Sequence, residues 1–196
     1  MNKYQDKNSK TERIIKESLL ELLHTHELKD ITLEQIAQQS KMNRVTIYRH
    51  FEDKWDILER IEQDFFQDLL QPHQEMIKQL RKPREQRDDG VKILMNFLNV
   101  FKSNLTLMRI LLDRKGDPNF TNKLMDYLLN REKISHPMLG INSDNFESEL
   151  LSYYEISGLI GIIKFWSIHP EYNTKQIAVF FFNIRNSEIK AVNSKQ

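Results

Sequence analysis

The chain has 196 residues, which is enough for one domain or two small ones with a packed core. Its 29 basic and 28 acidic residues nearly balance, so net charge points to no partner, and a nucleic-acid binder would need its positive charge on one local face. The absence of cysteine excludes disulfides, thiolate metal sites and cysteine nucleophiles, and it suits a reducing cytoplasm.

Apolar segments are short throughout the sequence. The first residues, MNKYQDKNSKTER, lack the apolar region of a signal peptide. The longest apolar run, Gly158 to Ile163, ends at Lys164 and falls far short of a membrane span. Only five Gly and five Pro occur, and no segment shows strand alternation with hairpin turns. These patterns predict an all-α, cytoplasmic protein with no membrane partner.

The first part of the chain predicts a disordered arm over residues 1–9 and a three-helix unit over residues 10–54. Thr32 is a good N-cap for the second of these helices, because its hydroxyl can accept a hydrogen bond from an amide of the first turn. Gln35, three residues on, completes a capping-box pattern. The tripeptide Lys41-Met42-Asn43 then makes a tight turn before the third helix.

That third helix runs from Arg44 to about His50, with Ile47 and Phe51 facing inward. A helix-turn-helix of this kind places its second helix in the DNA major groove, where donors and apolar groups contact base edges. Hydroxyls and cations around the helix would hold phosphates. The alternative is an ordinary helical hairpin with a polar outer face. The outward side chains that favour DNA are Thr32, Arg44, Thr46, Tyr48, Arg49, His50 and Lys54.

The remaining residues, 55–196, predict a long fourth helix to about Leu80 and then a carboxy-terminal helical bundle. Pro72 lies inside the long helix and is expected to kink or break it, and Pro83 ends it. Turns are predicted at residues 115–118 and over the loop 136–144. We interpret residues 55–196 as a ligand-binding and dimerisation domain.

The order of residues in the helix-turn-helix resembles the DNA-binding domain of the TetR family of bacterial transcriptional regulators. The matching positions are Thr32, Ile36-Ala37, the run Thr46 to Phe51, and Lys54. The start of the third helix, Asn-Arg-x-Thr, with Tyr-Arg-His-Phe at its end, resembles a subgroup of the family found in low-GC Gram-positive bacteria. Where the family commonly has Gly before the second helix and small residues in the turn, this chain has His26-Glu27 and Ser40-Lys41.

The resemblance implies a role for each matched residue. Ile47 and Phe51 would belong to the core, and Thr32 and Lys54 would hold phosphates. The residues that would contact DNA directly are Arg44, Val45, Thr46, Tyr48, Arg49 and His50.

In the carboxy-terminal region the same family holds a small molecule between helices, as helical bundles commonly do. Aromatic residues at helical spacing are more often core than pocket, but those with a polar group are the better candidates for a ligand site. These candidates are Tyr127, Tyr153, Tyr154 and Trp166.

The last two helices of the resembled family form a four-helix dimer interface, and residues 146–191 occupy that position here. Bulky residues spread around more than one helix face indicate a partner, although a monomeric core is the alternative. The predicted interface residues are Gly158, Gly161, Phe165, Phe180, Phe181 and Ile184.

Motifs for catalysis and metal binding are weak in this sequence. There is no Gly-rich phosphate loop, no nucleophile elbow and no His-Glu-x-x-His, so the chain is predicted not to be an enzyme. The histidines are scattered, and the nearest two are not at metal-binding helical spacing, so we predict no cofactor and no metal site. They are His24, His26, His50, His73, His136 and His169.

Together these features predict a homodimeric, ligand-responsive repressor that binds a palindromic operator in double-stranded DNA. A small-molecule effector of unknown identity would act through the long fourth helix. The alternatives are a transcriptional activator or all-α interaction module controlled by a partner protein, and a metal sensor.

Overall fold

The computed structural model describes residues 3–86, 88–113, 116–140 and 146–193, and these residues form helices and connecting turns without any strand. The predicted all-α fold is confirmed. The predicted positions 115 and 141–144, in a turn and a loop, lie outside the described residues. The α-helices are α1 (Lys3–Leu23), α2 (Leu33–Ser40), α3 (Arg44–His50), α4 (Lys54–Leu80), α5 (Gly90–Ser103), α6 (Leu105–Leu111), α7 (Phe120–Ser135), α8 (Phe146–Ile168) and α9 (Thr174–Asn193).

Two compact units share these helices. The amino-terminal unit contains residues 1–67 and 110–118, and the carboxy-terminal unit contains residues 68–109 and 119–196. Helix α4 contributes residues to both, so the division falls inside a helix rather than at position 54. Helix α1 begins at Lys3, within the segment for which the sequence predicts a disordered arm, and no Gly or Pro interrupts its first turns.

The amino-terminal unit has a core of aliphatic side chains from four helices. Ile15 and Leu19 of α1, Ile36 of α2 and Ile47 of α3 are fully buried, and so is Ile57 at the start of α4. Because these positions recur at the spacing of one helix face, each helix presents one apolar stripe inward and leaves its other side to solvent.

The carboxy-terminal unit is built on α5, α7, α8 and α9. Helix α5 packs on α9, and α8 packs on both α7 and α9. Gly90 opens α5 beside the ring of Phe182, where a Cβ atom would collide with that ring. The buried side chains of these helices include Phe97, Phe101, Phe120, Leu124, Ile163 and Trp166.

Helix α4 passes through Pro72 without a break. A proline removes one backbone hydrogen bond, and burial of neighbouring residues can compensate for that loss. Leu69 and His73, on either side of Pro72, are both buried. None of the described helices combines the length and the apolar character that crossing a membrane requires.

Candidate nucleic-acid interface

The turn between α2 and α3 is fixed by local hydrogen bonds. Thr32 accepts from the Gln35 amide at 3.2 Å, and the Gln35 side chain accepts from the Thr32 amide at 2.7 Å, so the predicted capping box is formed. Asn43 caps α3 by accepting from the Val45 amide at 2.9 Å. Between the two helices Lys41 adopts the left-handed conformation, with φ of 54°. These contacts fix the direction in which α3 leaves the turn.

Helix α3 then exposes one face. Ile47 is fully buried beneath it, whereas Val45 is 65% exposed and Tyr48 is 54% exposed. Arg44 and Arg49 are exposed as well. Two guanidinium groups, one phenol and one isopropyl group therefore project from the same short helix, which is the mixture of donors and apolar contacts that base edges require.

Arg44 is held in place by its neighbours on the protein. Its Nη1 donates to Glu34 Oε2 of α2 at 2.8 Å, in an exposed ion pair. Hydrogen bonding to Tyr48 and the charge of Glu34 raise the pKa of the Arg44 guanidinium. The ion pair with Glu34 orients Arg44 in the absence of DNA, and it would have to open or be shared when the guanidinium contacts a base or phosphate.

Two predicted contact residues point into the protein instead of outward. The His50 side chain is nearly buried, and its Nδ1 lies 3.1 Å from Glu12 Oε1 of α1. Lys54 Nζ donates to the carbonyls of Lys29 and Ile31, both at 2.7 Å. These two side chains join α3 and α4 to neighbouring segments of the unit, a role that the sequence pattern does not reveal.

Thr32 and Thr46 occupy intermediate roles. The Thr32 hydroxyl is engaged in the capping box, where it also donates to Gln35 Oε1 at 3.1 Å, although the residue itself is exposed. Thr46 is partly exposed on α3. The structure therefore brings Arg44, Val45, Tyr48 and Arg49 to one outward face and leaves Thr32 at the amino-terminal end of α2.

This segment matches a known protein family. Residues 15–61 match the family described as bacterial regulatory proteins, tetR family. They include α1 from Ile15 onward, all of α2 and α3, and the start of α4. Residues 15–61 form a tetR-family helix-turn-helix domain.

Individual relatives agree with this assignment. Over 55 residues the chain is 36% identical to an uncharacterized HTH-type transcriptional regulator, YxbF, from Bacillus subtilis (strain 168), and the aligned stretch is 28% of this chain and 14% of that protein. A TetR transcriptional regulator from Streptococcus agalactiae 2603V is similar in structure, with a TM-score of 0.62, 20% identity, and coverage of 93% of this chain and 97% of that one.

A second solved structure is a SmeT–triclosan complex, with a TM-score of 0.59, 18% identity, and coverage of 92% of this chain and 90% of that one. At these identities the structural likeness establishes the fold alone, which is a helix-turn-helix domain followed by a helical carboxy-terminal region. The family and the named relatives are transcriptional regulators, which are not enzymes.

Downstream of the tetR-family domain, the four aromatic candidates for a ligand site do not line one common cavity. Trp166 is fully buried, and its Nε1 donates to the Tyr172 carbonyl at 2.8 Å. Tyr153 and Tyr154 are exposed. Tyr127 lies deeper, with its hydroxyl 3.2 Å from Nδ1 of the buried His73. Of the three tyrosines, Tyr127 is the least exposed.

A small cavity of about 40 Å³ lies in the carboxy-terminal unit. Apolar side chains of α4, α5, α7, α8 and α9 line it together with a few charged groups. Burial and the charge of Arg131 lower the pKa of His73, which borders the cavity, to about 4. The lining residues are His73, Met76, Leu94, Phe97, Leu128, Arg131, Glu132, Ser135, Glu155, Ile156, Leu159, Phe181 and Arg185.

The predicted interface residues divide between surface and core. Phe165 and Phe180 are exposed by 47% and 56%, and Ile184 is also exposed, whereas Phe181 is buried. A Cβ atom built on Gly158 or Gly161 would meet nothing within 4 Å. Among the residues that the structure describes, neither glycine therefore supports close packing, and the surface above them is open.

Proposed function

We propose that the chain is a sequence-specific, DNA-binding transcriptional regulator that acts in the cytoplasm as a homodimer on a palindromic operator. The observation that carries the proposal is the outward face of α3, in which Arg44, Val45, Tyr48 and Arg49 project from a helix anchored by Ile47. This helix lies within the segment that matches the tetR family. We assign base contacts to its exposed side chains and a phosphate contact to the exposed Thr32 at the start of α2.

Dimerisation is supported by an apolar stripe along α8. Exposed Leu150, Tyr154, Phe165 and Ile168 recur at three- and four-residue spacing with Gly158 and Gly161 between them, and this pattern defines one helix face. On α9, Phe180 and Ile184 are exposed one turn apart. A second copy of the chain would cover these groups. A two-fold operator also needs two copies of α3, one for each half-site.

Control by a small molecule is supported by the position of the cavity between the helices of the carboxy-terminal unit, where bundles commonly bind ligands. At about 40 Å³ the cavity is far smaller than an effector, so the helices around it would have to separate to admit one. The similar SmeT structure was solved as a complex with triclosan. We infer that an effector binds in this region and favours one of two spacings between the α3 helices of the two copies. In the absence of the effector, the other spacing allows operator binding and represses transcription. Helix α4, continuous from Lys54 to Leu80, would transmit the change.

The DNA proposal is tested by selecting sites from a random double-stranded library and measuring affinity by fluorescence anisotropy at several salt concentrations. We expect a two-fold symmetric site, bound roughly 10- to 100-fold more weakly by Arg44→Ala and by Tyr48→Ala. The control variant Lys78→Ala removes an exposed cation of α4 that pairs with Glu75, and it should bind normally. Failure to enrich any sequence, or normal binding by both α3 variants, would overturn the proposal.

The dimer is tested separately by analytical ultracentrifugation. Phe165→Glu and Phe180→Glu place charges on the open faces of α8 and α9 and should give monomers at micromolar concentration. Ile134→Glu, on an exposed position of α7, is the matched control and should leave the dimer intact. A monomeric wild-type chain that binds DNA only with an added protein would instead favour the activator or interaction module controlled by a partner.

A further inference from the structure

Three buried side chains of the carboxy-terminal unit converge although they come from different elements. Glu132 lies in the last turn of α7, His136 begins the short 3₁₀ helix His136–Leu139 that follows, and Glu155 lies on α8. Each contributes a donor atom, and the three atoms lie within 4.8 Å of one another. Burying ionisable groups costs several kcal/mol each unless opposite charges and hydrogen bonds compensate, so this cluster requires an explanation.

The backbone accounts for half of this arrangement. His136 has helical dihedral angles, φ of −56° and ψ of −48°, so the helical path of α7 continues through it. Glu132 and His136 are four residues apart and therefore share one helix face. Glu155 reaches the same point because α7 and α8 pack together.

The surroundings of the His136 imidazole are the observation that points to a bound cation. The residue is 2% exposed, and its Nε2 has no hydrogen-bond partner although it faces both carboxylates. Its other nitrogen, Nδ1, lies 3.4 Å from the hydroxyl of Ser152 on α8. If Nδ1 carries the proton and donates to Ser152, the lone pair of Nε2 faces oxygens of two carboxyl groups, and a cation bound between them would satisfy that lone pair.

Distances distinguish a metal ion from a proton at this point. Nε2 lies 3.4 Å from Glu132 Oε2 and 4.0 Å from Glu155 Oε2. A protonated imidazole would draw a carboxylate oxygen to about 2.7–2.9 Å. Donors around a tetrahedral zinc ion, with bonds of about 2.0–2.2 Å, lie about 3.4 Å apart. One observed separation already matches that spacing, and the second needs a contraction of about 0.6 Å. The third pair, between the two carboxylates, lies within 4.8 Å, and side-chain rotation would have to bring it to the same spacing.

Arg185 of α9 fits this arrangement as an outer partner. Its Nη2 contacts Glu132 Oε1 at 2.9 Å, which is the oxygen that faces away from His136. Its Nε lies 3.1 Å from Glu155 Oε2. Metal-ligating carboxylates and imidazoles are commonly held by such outer hydrogen bonds, here from Arg185 and Ser152.

We propose that Glu132, His136 and Glu155 form a buried binding site for one divalent transition-metal ion of the zinc class. An imidazole with two carboxylates suits zinc and its neighbours better than magnesium, which prefers oxygen ligands and retains water. The two carboxylates offset two of the three positive charges that the ion and Arg185 bring. Three protein ligands leave a coordination position for water from the adjoining cavity. The site is independent of DNA binding, and so is its test.

The test uses the untagged, full-length chain after treatment with EDTA. Titration with Zn²⁺ by calorimetry, and with Co²⁺ followed by visible absorption, should give one ion per chain and a tetrahedral cobalt spectrum. Zn²⁺ should also raise the thermal midpoint by several degrees, because it binds the folded state alone, while Mg²⁺ should not. A wild-type chain that binds neither Zn²⁺ nor Co²⁺ would overturn the proposal.

Variants locate the ion. Glu132→Gln, His136→Gln and Glu155→Gln should each weaken Zn²⁺ binding at least 100-fold, and Ser152→Ala, outside the ligand set, about 10-fold. The controls are His169→Gln, which removes an exposed histidine paired with Glu171, and the double change His24→Ala with His26→Ala. Undiminished binding by the ligand variants, or loss in the controls, would contradict the site.

If a variant of one of the three ligating residues fails to fold, the visible spectrum of Co²⁺ bound to the wild-type chain tests the proposal instead. Nitrogen and oxygen ligation at a tetrahedral site supports the proposal, and an octahedral aqua-like spectrum opposes it. Thermal stability that responds to neither Zn²⁺ nor Co²⁺ would likewise oppose the site.

Discussion

The two units of this protein use polar groups in opposite ways. In the amino-terminal unit the polar side chains of α3 stand at the surface, and the contacts that position them, such as Thr32 with Gln35 and Asn43 with Val45, join residues two or three apart. The carboxy-terminal unit instead buries a cluster of polar groups, in which Arg185 contacts Glu132 across 53 positions of sequence. Local hydrogen bonds therefore position the exposed side chains of α3, whereas tertiary packing brings together the buried cluster that contains Glu132 and Arg185.

The two units are expected to differ most in the unfolding free energy that their ion pairs contribute. Arg185→Met removes the cation that faces Glu132 and Glu155, and we expect the metal-free protein to lose about 3 kcal/mol of unfolding free energy, because two carboxylates then remain buried without it. Urea unfolding at fixed protein concentration measures the loss. The matched change in the amino-terminal unit, Arg13→Met, breaks the exposed pair with Glu17 and should cost less than about 0.5 kcal/mol. Equal losses in the two variants would erase the distinction.

Acid should also affect the carboxy-terminal unit through His73. Its pKa is lowered to about 4 by burial and by the charge of Arg131, against an ordinary value of 6.5, so the unfolded chain takes up a proton that the folded chain resists. The stability due to neutral His73 is complete above pH 6.5 and is lost as pH falls toward 4. Between pH 8 and pH 5.5 we expect a loss of about 1.4 kcal/mol.

The variant His73→Phe is the control for this pH effect. It keeps a ring against Phe97, which lies 4.6 Å from the imidazole centroid, and it removes the titrating group. Chemical unfolding of both proteins from pH 8 to pH 5 should show a shallower pH dependence in the variant. Identical slopes would show that His73 is not the group responsible.

The smallest expected effect lies in the turn between α2 and α3. Lys41 occupies the left-handed region, which costs a residue with a Cβ about 1 kcal/mol relative to glycine, while glycine loses more chain entropy on folding. Lys41→Gly should therefore raise the unfolding free energy by about 0.5 kcal/mol, and Lys41→Ala should not. Thermal unfolding of the three proteins compares them directly, and a more stable Ala variant would argue against strain at this position.

Some features of the amino-terminal unit could be predicted from the sequence, and others could not. The capping box at Thr32, the turn at Lys41-Met42-Asn43 and the inward Ile47 all follow from spacing over one or two helical turns, and the structure has each of them. The inward turn of His50 toward Glu12 does not follow, because it depends on α1 packing beside α3. Lys54 likewise contacts carbonyls 23 and 25 residues earlier in the chain.

The carboxy-terminal sites were harder to anticipate. A signal for half of the buried cluster is present in the sequence, since Glu132 and His136 stand at helical i, i+4 spacing, but many exposed pairs share that spacing. Only the packing of α7 against α8 and α9 adds Glu155 and Arg185 and shows that the group is buried. Trp166 illustrates the reverse case, because helical spacing left it a candidate for a ligand site and the fold places it in the core with its indole N–H satisfied.

The sequence by itself determined the helical class, the helix-turn-helix and the identity of the residues on α3. Caps, turns and apolar stripes arise from contacts between residues that are close in sequence. The tertiary structure alone decided which polar residues are buried together, which histidines face carboxylates, and that α8 and α9 leave an apolar face open. Those features depend on contacts between residues far apart in the chain, and no local pattern records which distant side chains will meet.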